Sequence, residues 1–515
     1  MPLVFSPFAF AFSLLVFVIL VRRWRKLASR RGGLPYPPGP KPLPVIGNLK
    51  DFDIEHATET YHKWSRQYGK LVYINVLGRD MIFVNSAKVA DDLFEKRWQN
   101  YSDRTPLHMI NDLMGWGWTF GMMRYGETWR KHRRMFESQF KASTTRAYWP
   151  TMATQTHMLL RRLLDSPENL HEHLQHNAAS TIMKVIYGID IAPKNDRYIE
   201  IAEEALMALG QAATPGAFLV DILPILKHVP AWMPGAAFKR KAARWKKTLY
   251  EMRDAPFEAV LAANARGAAS PCFVTSAMNN IDHKGDIDEQ MTLVKQCAGM
   301  AYAGYPEQTV ASLASFILAM TLFPDIQEKA QREMDAVIGS RLPEFTDRPQ
   351  LPYVDAILRE VMRWYPVTPS GMPHMTTEDD VYNGYFIPAG TAVFGNTWAI
   401  LHDSEVYPDP MAFKPERYLT EDGKGLNNTP EPLAAFGYGR RICAGRHMAD
   451  ATLWMSVASI LAMFRITPCL DSQCKPIPVK PEFTTGAICA PLPFKCSIEP
   501  RSETTARIVS DTALL

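Results

Sequence analysis

The stretch FGYGRRICAG, residues 436–445, decides how this chain is read. It places one cysteine, Cys443, among Gly437, Gly439, Gly445, Arg440 and Arg441. The thiolate is the form of cysteine that binds metal, and it stays ionised only beside donors and positive charge. Arg440 and Arg441 supply the charge. The glycines let the backbone bend until amide N–H groups reach the sulfur. Phe436 offers a flat apolar wall to a flat apolar partner. A helix is predicted over 444–464, so Cys443 also lies at the positive end of a helix dipole. Two other readings compete. A single cysteine is often an inert buried side chain. A glycine-rich loop can cradle phosphate, but this one lacks the third glycine of a dinucleotide fingerprint and the Gly-Lys-Ser/Thr of a P-loop.

Three further patterns lie upstream. LREVMRWYP, 358–366, holds Glu360 and Arg363 at i,i+3, on one face of a predicted helix. Alone, such a pair is a common surface feature worth roughly a few tenths of a kcal/mol. FKPERYL, 413–419, supplies Arg417. GETWRKHRRMF, 126–136, places Trp129 and Arg133 at i,i+4, an indole N–H and a guanidinium that both donate.

Together and in this order, W-x-x-x-R, E-x-x-R, P-E-R and F-x-x-G-x-R-x-C-x-G resemble the cytochrome P-450 family, with Tyr418 where the family has Phe. The resemblance covers essentially the whole chain. It implies a mainly α fold with small β-sheets, and haem b bound axially through the Cys443 thiolate. It places Phe436 and Arg441 in the cofactor loop, and turns Trp129, Arg133 and His374 toward the haem propionates. For His374 the plain alternative is a satisfied surface histidine. It joins Glu360, Arg363 and Arg417 in a buried structural network. It implies a monooxygenase that inserts one atom of O2 into an apolar small molecule, with electrons from NADPH through a membrane-bound reductase. A basic face of Arg130, Lys131 and Arg134 would suit that acidic partner, or would be an ordinary solvated face. WAILHDSEVYPDP, PERY, FGYGRRICAG and EFTTGAICAPLPF are similar to fungal secondary-metabolism members, including hydroxylases of terpenoids and indoles. Within the same fold, desaturation, multistep oxidation or rearrangement stays open. So does a haem-binding protein with little oxygen activation.

One segment departs from the family. AYAGYPEQTVASL, 301–313, stands where the oxygen-activation motif A/G-G-x-D/E-T belongs. Glu307 takes the acidic position, Gln308 that of the threonine, and Thr309 follows. The family's threonine hydroxyl passes protons, which a Gln308 amide cannot do. Thr309 is rotated by roughly 100° on a regular helix. Tyr305 and Pro306 replace small residues, and Pro306 is expected to kink a helix predicted over 288–322.

The 515 residues show no repeat, low-complexity tract or flexible linker after the first 50, so one large catalytic domain, 51–515, is expected. Hydrophobic residues make up 47% and aromatic residues 11%, enough for a large core. The net charge of +4 is too small to point to nucleic acid. The seven cysteines form no CxxC pair, which excludes a zinc site of that kind and fits a reducing compartment. Segment 1–21 is predicted to span a membrane: Leu3–Val21 is charge-free and has roughly the 20 residues a span needs. The basic cluster after it predicts a cytoplasmic flank, hence a single-pass anchor in the endoplasmic reticulum with a cytosolic domain and contact with membrane lipid. Segment 22–50 reads as a basic and proline-rich linker, with six prolines between 34 and 48. Met and Trp residues crowd 107–123, which roofs the pocket in the family; soft Met side chains suit bulky apolar ligands, and plain core packing explains them as well.

Overall fold

The computed structural model describes residues 29–514 apart from Phe52, Ile54, Glu55 and Pro215. The expected span over 1–21 lies outside the described residues. Among those described, no single helix is long and apolar enough to cross a membrane.

Helices dominate, as the patterning predicts. Five position the site: α1 (Glu127–Phe140), α2 (Ile287–Gly304), α3 (Pro306–Leu322), α4 (Pro352–Trp364) and α5 (Arg446–Met463). Helices α3 and α5 are buried along nearly their whole length. A helix apolar on all sides belongs in the core of a large domain, and these two pack against each other there. Three long helices lie outside the stretches whose periodicity reads as helical, Ala57–Tyr68, Leu170–Tyr187 and Arg197–Ala213, as do the shorter Phe273–Asn279 and Glu503–Asp511. The second is buried all round from Ala178 to Ile182, so it shows little amphipathic stripe to detect.

The long helix predicted over 288–322 is two helices. Pro306 does not merely kink it; Pro306 occupies the first position of a new helix, where its missing N–H costs nothing. The chain breaks at Tyr305.

The sequence KLVYINVLGRDMIFVN, 70–85, carries β-branched residues alternating around Gly78 and predicts a hairpin, which forms from β1 (Leu71–Val76) and β2 (Arg79–Val84). Leu77 and Gly78 both have positive φ, 50° and 81°, as a two-residue hairpin turn matching strand twist requires. With β3 (Asp103–Arg104), β4 (His374–Met375) and a later strand it makes a five-stranded sheet. The segment VYNGYFIPAGTAVFGN, 381–396, predicts paired strands around Asn383-Gly384 and Ala389-Gly390, and β5 (Asp380–Tyr382) and β6 (Tyr385–Ile387) do pair around the first. The second expected pairing, around Ala389-Gly390, does not occur. Instead β7 (Ala392–Gly395) leaves β6 and pairs with β2 and β4, giving the order β1-β2-β7-β4-β3. Pro388 has no N–H to carry a β6–β7 ladder, and its carbonyl accepts from the Thr376 and Thr391 hydroxyls, both at 2.7 Å.

The proline-rich stretch lies along the free edge of β1. Tyr73 N donates to Pro38 O at 2.9 Å, and Tyr36 stacks on Tyr73 with ring centroids 4.6 Å apart. A Cβ on Gly39 would sit 1.9 Å from Tyr73 O, so only glycine fits there.

The E-x-x-R and P-E-R residues do meet in the core. Glu360 and Arg363 are fully buried on α4, joined by two bonds of 2.8 Å. Arg417 Nε reaches Glu360 at 3.2 Å and Lys414 N donates to it at 2.7 Å. Arg363 donates further to the carbonyls of Leu401, Pro410 and Ala412. The Glu360→Ala variant strands a buried guanidinium, at a cost of about 3–5 kcal/mol. It should yield little folded protein, measured as soluble expression and melting temperature; wild-type values would mean the charge is not carried in the core.

Candidate functional site

The cysteine loop is held by close backbone contact. Gly439 has φ +54°, and a Cβ there would lie 2.2 Å from Phe94 O. Any other residue would push the loop off the chain beneath it. Phe436, half-buried, accepts from Cys443 N at 2.8 Å and so closes the loop. Helix α5 starts at Arg446, and the Gly445 N–H lies at the sulfur. Nothing approaches within 4 Å of where a Gly445 Cβ would be, so there is room beside the cysteine.

The charges near the sulfur are not those the sequence suggested. Arg440 is exposed, over the Trp98 ring at 5.0 Å. Arg441 turns away from Cys443. Its guanidinium donates to the carbonyls of Ser102, Phe120 and Met123 and stacks over Trp129 at 4.6 Å. Arg133 and Arg446 act on the thiol instead. Arg133 Nη1 donates to Ile442 O at 2.5 Å, and Arg446 Nη1 to Cys443 O at 3.2 Å. Burial pushes the Cys443 thiol up, while the Gly445 amide and these two guanidiniums pull it down. Cys443 is nevertheless exposed. Both facts hold together if Cys443 lines an interior space.

A cluster of buried cations sits close by. Strand β3 pairs with β4 so that Arg104 lies opposite His374. Arg104 is buried, and donates to the carbonyls of Gly121, Met372 and Pro373. Burial and the neighbouring Arg441 lower its pKa; burial brings that of Arg441 down to about 10. The carboxylate of Asp103 is taken up by Arg124 and the Tyr125 amide. His374 is buried and held well below the usual histidine range by burial, Arg104 and Arg441. Its Nδ1 donates to Tyr101 O at 2.7 Å, which leaves Nε2 able to take a proton beside an anion. Two buried guanidiniums with carbonyl partners alone are matched by an anionic ligand. Arg104 was not singled out from the sequence; the strand pairing that brings it to His374 joins residues 270 positions apart, and no local motif marks it.

Of the basic face on α1, Arg130 bonds Glu127 at 2.8 Å and Lys131 bonds Glu289 at 2.5 Å, while Arg134 stays exposed.

At the helix break, Thr309 is buried, and its hydroxyl donates back to Tyr305 O at 2.9 Å. The hydroxyl is thus engaged on its own helix. Gln308 is half-buried, with Oε1 buried and unbonded. Gly304 and Glu307 are exposed, yet burial raises the Glu307 carboxyl above its ordinary 4.5. Like Cys443, Glu307 lines interior space.

These residues fit a flat apolar dianion carrying a metal: a soft sulfur ligand with an amide donor and two cations, the Phe436 ring, room at Gly445, and buried Arg104 and Arg441. The Glu307 shift has a measurable sign. Below about pH 4.5 the carboxyl is protonated folded and unfolded alike; stability is lost as pH rises through the higher folded value. Glu307→Gln should therefore raise the melting temperature at about pH 7 and leave it unchanged at about pH 4. Equal gains at both values would remove burial as the cause.

The family model described as Cytochrome P450 matches residues 37–497. A cytochrome P450 monooxygenase, COX2, of Coprinopsis cinerea is 42% identical over 95% of this chain and 93% of its own length. The monooxygenase ple1 of Rhodocybe pseudopiperita is 40% identical over 92% and 91%. The tryptamine 4-monooxygenase of Psilocybe cyanescens is 38% identical over 92% and 94%. Both the extent of the match and the helical fold around the cysteine loop lead to one statement: this chain belongs to the cytochrome P450 family of oxidoreductases, whose members carry haem on a cysteine thiolate.

Proposed function

We propose that this chain is a haem-thiolate monooxygenase acting on an apolar small molecule, a secondary metabolite of terpenoid or indole type. The observation that carries the reading is Cys443 in a closed Gly/Arg loop, lining interior space beside buried cations. Cys443 would hold the iron and Phe436 would flank the ring. Arg104, Arg441, Trp129, Arg133 and His374 would hold the propionates. When bound, the cysteine-ligated haem supplies reductive activation of O2. The other residues bind, orient and move protons. Glu307, its carboxyl raised above its ordinary value by burial, can give up and regain a proton inside the cavity. Gln308 offers amide donors, and Thr309 steadies the turn through Tyr305 O. The Met-rich segment 107–123 would shape the apolar roof.

NADPH electrons would arrive through a membrane-bound reductase on the exposed basic face that includes Arg134 and Arg440. The relatives' names support the substrate class: one of them is a tryptamine 4-monooxygenase. A second reading has one observation in its favour. Gln308 stands in the threonine position and the Thr309 hydroxyl is bonded back to its own helix. An altered proton supply suits desaturation, multistep oxidation or rearrangement by the same fold.

The reduced protein with carbon monoxide should show the strongly red-shifted Soret band of a thiolate ligand, and Cys443→His should abolish it. A band that survives this substitution would assign the iron to another residue. The charge pattern of 1–31 supports a domain on the cytosolic side of the endoplasmic reticulum. Protease added to sealed microsomes should digest residues 51–515; complete protection would place them in the lumen.

A further inference from the structure

Two seams hold the segment 107–123 in place, and they differ in kind. The first lies at residues 115–118. Gly115 has φ +88°, and a Cβ there would lie 3.0 Å from Tyr250 Oη and 3.2 Å from Lys246 Cε, both on the helix Ala237–Ala265. Trp116 and Trp118 are buried. Arg253 of that helix lies over the Tyr250 ring at 4.3 Å and over the Trp118 ring at 5.5 Å. On α2, a Cβ on Gly299 would meet Arg253 at 2.9 Å and Trp118 at 3.0 Å. Packing this close leaves no slack for one part to move alone.

The second seam lies at residues 108–112, where a short π-helical turn (Met109–Leu113) meets residues 219–228. Asp221 joins three parts of the fold there. Its carboxylate takes Met109 N at 2.9 Å, and its carbonyl accepts from Arg79 of β2. Asp112 takes Lys227 Nζ at 3.0 Å, and His108 Nδ1 lies 2.9 Å from it. Asp112 is exposed and Lys227 half-buried, so water competes for this pair and it adds little. Of residues 219–228 only Val220 is buried, while Leu219, Leu223 and Ile225 are exposed. A segment with so few buried contacts opens before the rest of a fold does. Met109 and Ile110, fully buried, lie directly inside the seam.

We propose that the second seam is the one that parts to admit an apolar ligand, that Asp221 and Lys227 are positioning residues holding the 108–112 turn shut, and that residues 115–118 stay fixed. Parting it gives up one half-exposed ion pair and the bond from Met109 N to Asp221. Parting the first would uncover two buried indoles and the cation stacked on one of them. Asp112, Asp221 and Lys227 touch no reacting atom. They set how fast a ligand passes, not how tightly it rests. The proposal rests on the haem-thiolate reading above, because the ligand's arrival is read at the iron.

The probe is 4-phenylimidazole, at a pH where it is neutral, binding to the oxidised holoprotein and followed by the Soret shift in stopped flow. Lys227→Glu sets like charge against Asp112. It should raise the association and dissociation rates together, by about two- to fivefold, with Kd unchanged. Asp112→Lys should do the same, and the double variant Asp112→Lys/Lys227→Glu should return both rates toward wild type. Asp221→Ala should also speed both; Lys227→Glu carries the test should Asp221→Ala fold poorly. Arg253→Met, at the other seam, should leave both rates as they are. A double variant as fast as either single one overturns the ion pair as a hold. Faster rates in Arg253→Met alone place the opening at the first seam and overturn the proposal, as do unchanged rates in every variant. A rise in one rate only, hence a changed Kd, assigns these residues to the ligand's resting place and overturns their part in entry. Failure of the thiolate reading shows in the wild type, as a carbon monoxide complex without the thiolate band; failure of the seam shows only in the variants.

Discussion

The structure depends on one carboxylate kept in the core by cations. Glu360 has no water to solvate it and is matched by Arg363 on its own helix and Arg417 from the segment that leads toward the cysteine loop. Burying such a group is costly unless every lone pair is used, so its neighbours are strongly constrained. Arg363 in turn binds three carbonyls around 401–412, pinning that irregular segment to α4. The chain then runs through the P-E-R turn to a loop whose shape depends on Gly439 passing over Phe94. The cysteine is therefore presented on a rigid frame.

Around that frame, positive charge collects. The inner region near Cys443 gathers Arg104, Arg441, Arg133 and His374; Asp103 is taken up by Arg124, and Arg133 Nε bonds Glu137 at 2.6 Å. Arg104 and Arg441, buried with carbonyl partners alone, are unfavourable by themselves and become favourable with an anionic ligand, so binding and folding are coupled there. Arg441 stacked over Trp129 shows how such a cation is kept desolvated while its donors stay satisfied by carbonyls.

Much of this was legible in the sequence because the motifs are local. Cys443, Gly439 and Phe436 fall within ten residues, and Trp129 and Arg133 within one helical turn. What was hidden lies in long-range register. Arg104 reaches the site only because β3 pairs with β4. Arg440 and Arg441 were credited with the thiol's charge because they are its neighbours in sequence, whereas in space Arg133 and Arg446 fill that role. Pro306 gave a warning of distortion, but its preference for a helix's first position turned a kink into a break. The strand after Gly390 went to β2 and β4, a choice made by partners far away in the chain.

The proline-rich stretch has a consequence for how this protein can be handled. Strand β1 would otherwise offer a bare row of N–H and C=O groups, the template on which separate molecules join. Residues 35–48 cover it: Pro38 O takes Tyr73 N, and Asn48 N donates to Asn75 O. A chain shortened to its residue 32 keeps this cover. One shortened to residue 51 would lose it, and the exposed edge would favour self-association whatever became of the haem site. The stretch thus serves as a shield for the sheet.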